Sequence, residues 1–219
     1  MNVIYLSGGC GFRAQLGYPK QYAILGGKFI IMHGLELLQR MPEIDKIIIP
    51  TNDIKQVETL CGQYNITKAI ACQGGETRQE SVCNAIYHVE SEYVLIAEAV
   101  RPFITEEFVR RVIHTPGHFV TPIARAKSSV VQRRGGYINR DNVGEVQMPQ
   151  KYLSSLLGKA HIKTEMENAT DDAVLVIDVM NIYPTVIDGI EENIKITTPL
   201  DLKIAEAIYE YNRKAEEVL

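Results

Sequence analysis

Short apolar runs alternate with stretches whose apolar residues recur every three or four positions. The runs at 2–7, 46–50 (KIIIP), 68–72 (KAIAC), 93–97 (YVLIA) and 118–124 have the length and apolar character of buried strands. Helical spacing covers 30–41, 53–64, 77–90, 105–114, 150–158, 170–180 and 199–217. Strand and helix in alternation predict an α/β fold around a mostly parallel central sheet. In such sheets ligands collect beyond the carboxyl ends of the strands.

One stretch breaks the alternation. Val130-Val131-Gln132 and Tyr137-Ile138-Asn139 flank Arg133-Arg134-Gly135-Gly136, the signature of a β-hairpin with a glycine turn. Residues 126–147 hold too few apolar side chains to pack alone, so this segment is expected to be a protruding arm that leans on a partner. No linker, repeat or low-complexity segment divides the chain, and residues 1–219 read as a single domain.

Composition narrows the function. At 219 residues the chain is long enough for one full core. A net charge of −4 argues against nonspecific nucleic-acid binding. No run of 18 apolar residues suggests a membrane span, and the start of the chain carries no basic leader, so a cytoplasmic protein is expected. Cys10, Cys61, Cys72 and Cys83 match no zinc spacing and read as reduced thiols.

The segment LSGGCGFRAQLGYPKQ follows the first strand and carries the chemistry. Gly8, Gly9 and Gly11 allow the backbone to approach a ligand and turn N–H groups toward phosphate oxygens. Arg13 and Lys20 supply mobile cations beside that loop, as a nucleoside triphosphate requires. Gly9 to Ala14 also fits the dinucleotide fingerprint G-x-G-x-x-A, but Gly17 and Pro19 interrupt the helix it needs. The nearest acid, Glu36, lies inside a helical run rather than at a strand end. A P-loop would need Gly-Lys-Ser/Thr, which is absent. A turn-rich surface loop is the plain alternative.

Three further segments follow strands or open helices. In Gly74-Gly75-Glu76-Thr77-Arg78-Gln79-Glu80-Ser81, Thr77 and Glu80 form a capping box, while Gly75, Arg78 and Ser81 are candidates to line a nucleotide. Glu98 and Arg101 stand just past a buried strand, either as a surface ion pair or with Glu98 as a Mg²⁺ ligand. Thr198 and Pro199 make a helix start, and Lys195 before them is the group that could face a ligand. Asp171 and Asp172 look like a metal pair but fit a helix start better. The histidines have no ligand spacing and are given no role.

Taken in order, GGCGFRAQLGYPKQ, GGETRQESV, EAVRPFI, VQMPQKY, TDD and NIKITTPLDL resemble the cytidylyltransferases that make CDP-methylerythritol (the IspD family) and CDP-ribitol (the TarI family). The resemblance covers nearly the whole chain, and AVRPF and NIKITTPLDLK look closer to the ribitol branch. It implies a Rossmann-like nucleotidyltransferase fold and a homodimer with exchanged hairpin arms. The implied reaction joins CTP to a phosphorylated polyol with Mg²⁺ and releases pyrophosphate. By position, Arg13, Lys20 and Lys195 would be catalytic. Ser7, Gly8, Gly9, Gly11, Gly75, Glu76, Ser81 and Arg101 would bind the nucleotide, with Gly75, Glu76 and Ser81 on the cytosine. Ser129, Arg140, Thr170 and Lys195 would bind the acceptor, Arg140 coming from a partner's arm, and Glu98 would hold the metal.

Four features depart from the family pattern. Ala97-Glu98 replaces His-Asp, Ser128-Ser129 replaces Asp-Thr, Met148 stands where Thr precedes Pro-Gln, and the arm is shorter. Most of the change falls on the acceptor side. A nucleotide-binding module that has lost catalysis, or a transferase using another nucleotide, is the alternative these departures allow.

Overall fold

A computed structural model describes residues 1–8 and 18–216. The elements, in order, are β1 (Asn2–Leu6), β2 (Ile24–Leu25), β3 (Lys28–Phe29), α1 (Ile30–Arg40), β4 (Lys46–Thr51), α2 (Ile54–Gln63), β5 (Ala69–Gln73), α3 (Arg78–Ile86), β6 (Tyr93–Glu98) and α4 (Glu106–His114). There follow β7 (Phe119–Arg125), β8 (Val130–Val131), β9 (Tyr137–Ile138), β10 (Gly144–Val146), β11 (Gln150–Leu153), α5 (Ser154–Lys163), α6 (Asp172–Met180), β12 (Thr185–Asp188) and α7 (Pro199–Glu216).

Among the described residues the main sheet has eight strands, seven of them in the order β10-β7-β11-β6-β1-β4-β5, with β12 beside β7. Strands β5, β4, β1 and β6 run parallel. Strand β11 enters antiparallel between β6 and β7, and β12 pairs parallel with β7. From β1 the chain builds outward through β4 and β5, then returns to place β6 on the other side of β1. That reversal is the topological switch point, where such sheets open a crevice.

Alternation along the central strands separates the core into two faces. Val3, Tyr5, Ile47, Ile49, Leu95 and Ala97 pack against α1, α2 and α4. Ile4, Ile48, Val94 and Ile96 pack against α3, α5 and α6. A third, smaller cluster joins Leu25, Ile30, Val100, Ile196 and Ala205, and so fixes α7 against the β2–β3 hairpin. Gly26 and Gly27 turn that hairpin with φ of +57° and +80°, values that favour glycine. A Cβ on Gly26 would lie 2.0 Å from the Tyr209 ring of α7.

The alternating pattern places most elements within a few residues of their sequence-based limits. The stretch 150–158 is the main correction. It is not one helix but β11 followed by α5. Gln150, Lys151 and Tyr152 are buried, and the two polar ones are satisfied inside: the Lys151 amine donates to the carbonyls of Ile113 (3.0 Å) and Thr115, and Gln150 donates to Asp171. A strand that buries an amide and an amine has no apolar signature to read. Strand β12 was also unforeseen; three of its four residues are exposed, so it lacks the buried run that marks a strand. The arm forms the hairpin β8–β9, but residues 144–146 rejoin the main sheet as β10.

Candidate functional site

Four strand ends bring the candidate residues together. Leu6 lies opposite Glu98 in the β1–β6 ladder, and the Ala99 amide donates to the Leu6 carbonyl at 3.0 Å. Ser7, next in the chain, is buried and its hydroxyl donates to the Pro50 carbonyl of β4 at 3.2 Å. Gly8 stands beside Ser81, since a Cβ there would be 3.6 Å from the Ser81 hydroxyl. The Gly74 amide donates to the Thr51 carbonyl at 2.9 Å, which ties the loop after β5 to the end of β4.

The loop after β5 is rigid for identifiable reasons. Thr77 caps α3 by accepting from the Glu80 amide at 3.0 Å, and the Glu80 carboxylate accepts from Thr77 and, at 2.7 Å, from Glu76. Ser81 Oγ accepts from the Gly75 amide (3.0 Å) and donates to the Thr77 carbonyl (2.9 Å). A side chain on Gly75 would meet Glu80 Cβ at 2.2 Å, so the close turn needs a glycine. Glu76 is exposed at the tip. Gly8, Gly75 and Ser81 therefore share one edge of the crevice.

Glu98 anchors the other edge. It is 7% exposed, with Oε1 accepting from Lys195 Nζ at 2.6 Å and Oε2 from Arg101 Nε at 2.9 Å. Burial by itself would raise its pKa, but the Lys195 and Arg101 charges outweigh burial and hold the carboxyl below the usual range. The group is thus an ionised carboxylate at the switch point, and each oxygen keeps a second lone pair. Mg²⁺ favours one or two carboxylates plus phosphate oxygens and water, so this donor fits such an ion. Among the described residues no cluster of three or more His, Cys, Asp and Glu could hold a metal by itself.

Lys20 belongs to a 3₁₀ turn, Lys20–Tyr22, whose Gln21 is buried and donates to the Ser7 carbonyl at 2.5 Å. Burial would raise the Asp201 carboxyl, but the amides of Thr197 and Thr198, with Lys20 nearby, bring it below its ordinary value. Lys20 thereby lies in the neighbourhood of the helix start that follows Lys195. Arg101 is 8% exposed and turns its guanidinium inward, toward Glu98 and the carbonyls of Asn193 (2.7 Å) and Val146 (3.3 Å). Thr170 is exposed just before α6. Ser129 and Arg140 are exposed on the arm, Arg140 opening a second 3₁₀ turn. Gly9, Gly11 and Arg13 lie outside the described residues.

Sequence reasoning overlooked a buried polar group behind α3. Asp171 caps α6, as the helix-start reading expects, by accepting from the Ala173 amide at 2.8 Å. Asp172 does more: fully buried, it takes Arg78 Nη2 at 2.5 Å and His161 Nε2 at 3.0 Å. Burial would raise Asp172, but Arg78 and His161 hold it below the ordinary aspartate value. Asp171, held less firmly, is raised by its burial. Arg78 thus joins α3 to α5 and α6. A lone histidine in a helix carries no spacing signal, so His161 could not have been singled out.

The model of the family described as 2-C-methyl-D-erythritol 4-phosphate cytidylyltransferase (IspD) matches residues 1–211. A protein of that name from Azobacteroides pseudotrichonymphae is 34% identical over 215 residues, covering 94% of this chain and 97% of that protein. The one from Syntrophus aciditrophicus is 35% identical over 216 residues, covering 92% of each chain. In three dimensions the chain is similar to 4-diphosphocytidyl-2C-methyl-D-erythritol synthase from Anaerococcus prevotii, with a TM-score of 0.82, 27% identity and 95% of both chains covered. A crevice at the switch point, edged by a glycine loop on one side and a carboxylate–lysine pair on the other, is thus accompanied by likeness along almost the entire length, and the chain belongs to the 2-C-methyl-D-erythritol 4-phosphate cytidylyltransferase family.

Proposed function

We propose that this protein transfers CMP from CTP to the phosphate of 2-C-methyl-D-erythritol 4-phosphate and releases pyrophosphate. The observation that carries the reading is the Lys195–Glu98 ion pair beside the Gly8–Ser81–Gly75 edge. An acceptor phosphate oxygen attacks the α-phosphorus in line; the new P–O bond forms as the bond to the β-phosphate oxygen breaks, and pyrophosphate departs with the electron pair. Such a transfer asks little covalent work of the protein, so positioning and charge stabilisation dominate. Arg13 and Lys20 offset charge on the α-phosphate and leaving group, and Ser7, Gly8, Gly9 and Gly11 present the loop to the triphosphate. Gly75, Glu76 and Ser81 hold the cytosine. Lys195 and Thr170, with Ser129 and Arg140 from a second copy's arm, receive the acceptor.

Glu98 is the residue that would hold Mg²⁺, which when bound screens the triphosphate charge. The arm supports a homodimer reading: Val131 and Tyr137 are 54% and 83% exposed in the single chain, apolar surface that a second copy would cover. The reading places the protein in the cytoplasm. The methylerythritol acceptor follows the named relatives, while AVRPF and NIKITTPLDLK keep ribitol 5-phosphate as the second acceptor to test. Pyrophosphate release should be measured with Mg²⁺ and each of CTP, UTP, GTP and ATP, against both acceptors. Release with CTP and methylerythritol phosphate is expected. Release only with ribitol 5-phosphate would move the acceptor to that branch. Silence with both acceptors while CTP still binds would leave either a related phosphorylated acceptor or a nucleotide-binding module.

A further inference from the structure

Lys195 sits in a segment without regular structure, between β12 and α7, yet it must present an ammonium group to one place. Four straps hold that segment. Gln147 bridges its start, accepting from the Ile190 amide at 3.0 Å and donating to the Ile190 carbonyl at 2.8 Å. Asn193 is fully buried and donates from Nδ2 to the Met148 carbonyl at 2.7 Å. Arg101 donates to the Asn193 carbonyl at 2.7 Å. Beyond Lys195, the Ile196 amide donates to the Val100 carbonyl at 2.9 Å. Three of these straps meet at Asn193, two residues before the lysine, because Gln147 also donates to the Asn193 carbonyl and accepts from Asn193 Nδ2, both at 3.5 Å.

We infer that Asn193 is a positioning residue for Lys195. Its side chain pins the segment to Met148 while its carbonyl is gripped by the same guanidinium that orients Glu98. Arg101 thereby sets both partners of the ion pair from one buried point: Nε fixes the carboxylate and Nη1 fixes the backbone from which the lysine reaches it. Arg101 acts here through Glu98 and Asn193. Its third nitrogen donates to Val146, the last residue of β10, so the root of the arm belongs to the same knot. In a segment without a strand ladder, such side-chain straps hold a cation to the fraction of an ångström that phosphate transfer needs.

The inference rests on the reading that Lys195 engages phosphate, and a double-mutant cycle separates the two. Steady-state kinetics would be compared for the native chain, Asn193→Ala, Lys195→Ala and the double variant. Asn193→Ala should lower kcat/KM for the acceptor on the order of 100-fold. Calorimetric CTP affinity without acceptor should stay within about twofold. In the Lys195→Ala background the asparagine change should cost about twofold or less, because its effect passes through the absent ammonium. Native-like kinetics of Lys195→Ala would overturn the functional reading. A severe Lys195→Ala loss with native-like Asn193→Ala, or two fully multiplicative losses, would overturn the positioning inference. If Asn193→Ala fails to fold, Asn193→Ser, whose hydroxyl is too short to reach Met148, should give the same pattern, and the same two results would refute it.

Discussion

Replacing Asp172 by alanine tests whether the buried ion pair behind α3 has been understood. Asp172 is fully buried and Arg78 largely so, with 2.5 Å between Oδ2 and Nη2. Removing the carboxylate strands a guanidinium in a poorly solvated place and also frees His161. Breaking one partner of such a pair costs roughly 3–5 kcal/mol. In a chain of this size 1 kcal/mol moves Tm by about 2–4 °C, so the variant should melt roughly 6–20 °C lower. The assay is urea unfolding at neutral pH followed by circular dichroism, read as a shift in midpoint at unchanged slope. Replacing both partners, Arg78→Met with Asp172→Leu, should recover much of the loss, because no unpaired charge remains. The pH dependence is fixed by direction. Asp172 titrates below its ordinary value in the fold, so the unfolded chain binds the proton more readily. Its contribution is complete above about pH 4, the unfolded range, and disappears as pH falls through the lower folded value. The gap between native and Asp172→Ala should narrow over that acid window. A loss under about 1 kcal/mol at neutral pH, the range of exposed pairs, would refute the reasoning.

Gly75→Ala should raise KM for CTP on the order of tenfold, because a Cβ would come 2.2 Å from Glu80 Cβ and push the loop from Ser81; an unchanged KM would remove that loop from nucleotide binding. Gly26→Ala should cost roughly 1–3 kcal/mol in urea unfolding, from overlap with Tyr209 and a left-handed φ. The additional change Tyr209→Ala should relieve the overlap, so the cost of the alanine at position 26 should be smaller in that background. Glu98→Gln should reduce stability at neutral pH and leave a shallower acid dependence below about pH 4.3, since the depressed Glu98 carboxyl contributes above its unfolded pKa and loses that contribution as it is protonated. Parallel acid profiles for native and variant would contradict the Lys195–Glu98–Arg101 arrangement.

The parallel half of the sheet was legible because its strands are buried on both faces and read as plain apolar runs, from Val3 to Tyr5 and from Ile47 to Ile49. The helix starts at Thr77 and Asp171 were legible because capping is local chemistry. What escaped is satisfied only at long range. Gln150 and Lys151 enter a buried strand because carbonyls and a carboxylate far along the chain receive their protons. Asn193 gives no sign, within its own neighbourhood, of the Met148 carbonyl it serves. The fold sends the strand ends to one side, so Gly8 comes to Ser81, and Glu98 to Lys195, although each pair is widely separated in sequence. Arg101 shows the limit: its place beside the site was readable, but the direction of its guanidinium was not.

The arm departs from β7 at Arg125 and returns at Gly144, and those two residues are cross-strand partners. Residues 126–143 therefore form an excursion whose two ends are stapled together by the main sheet. Closing such a loop grows costlier only with the logarithm of its length, about 0.6 kcal/mol per doubling. Length in the arm is thus nearly decoupled from the stability of the body. The excursion can be lengthened or shortened at small closure cost while the sheet that staples its ends keeps its register. A longer arm transplanted between Arg125 and Gly144 should therefore leave the urea midpoint of the body nearly unchanged.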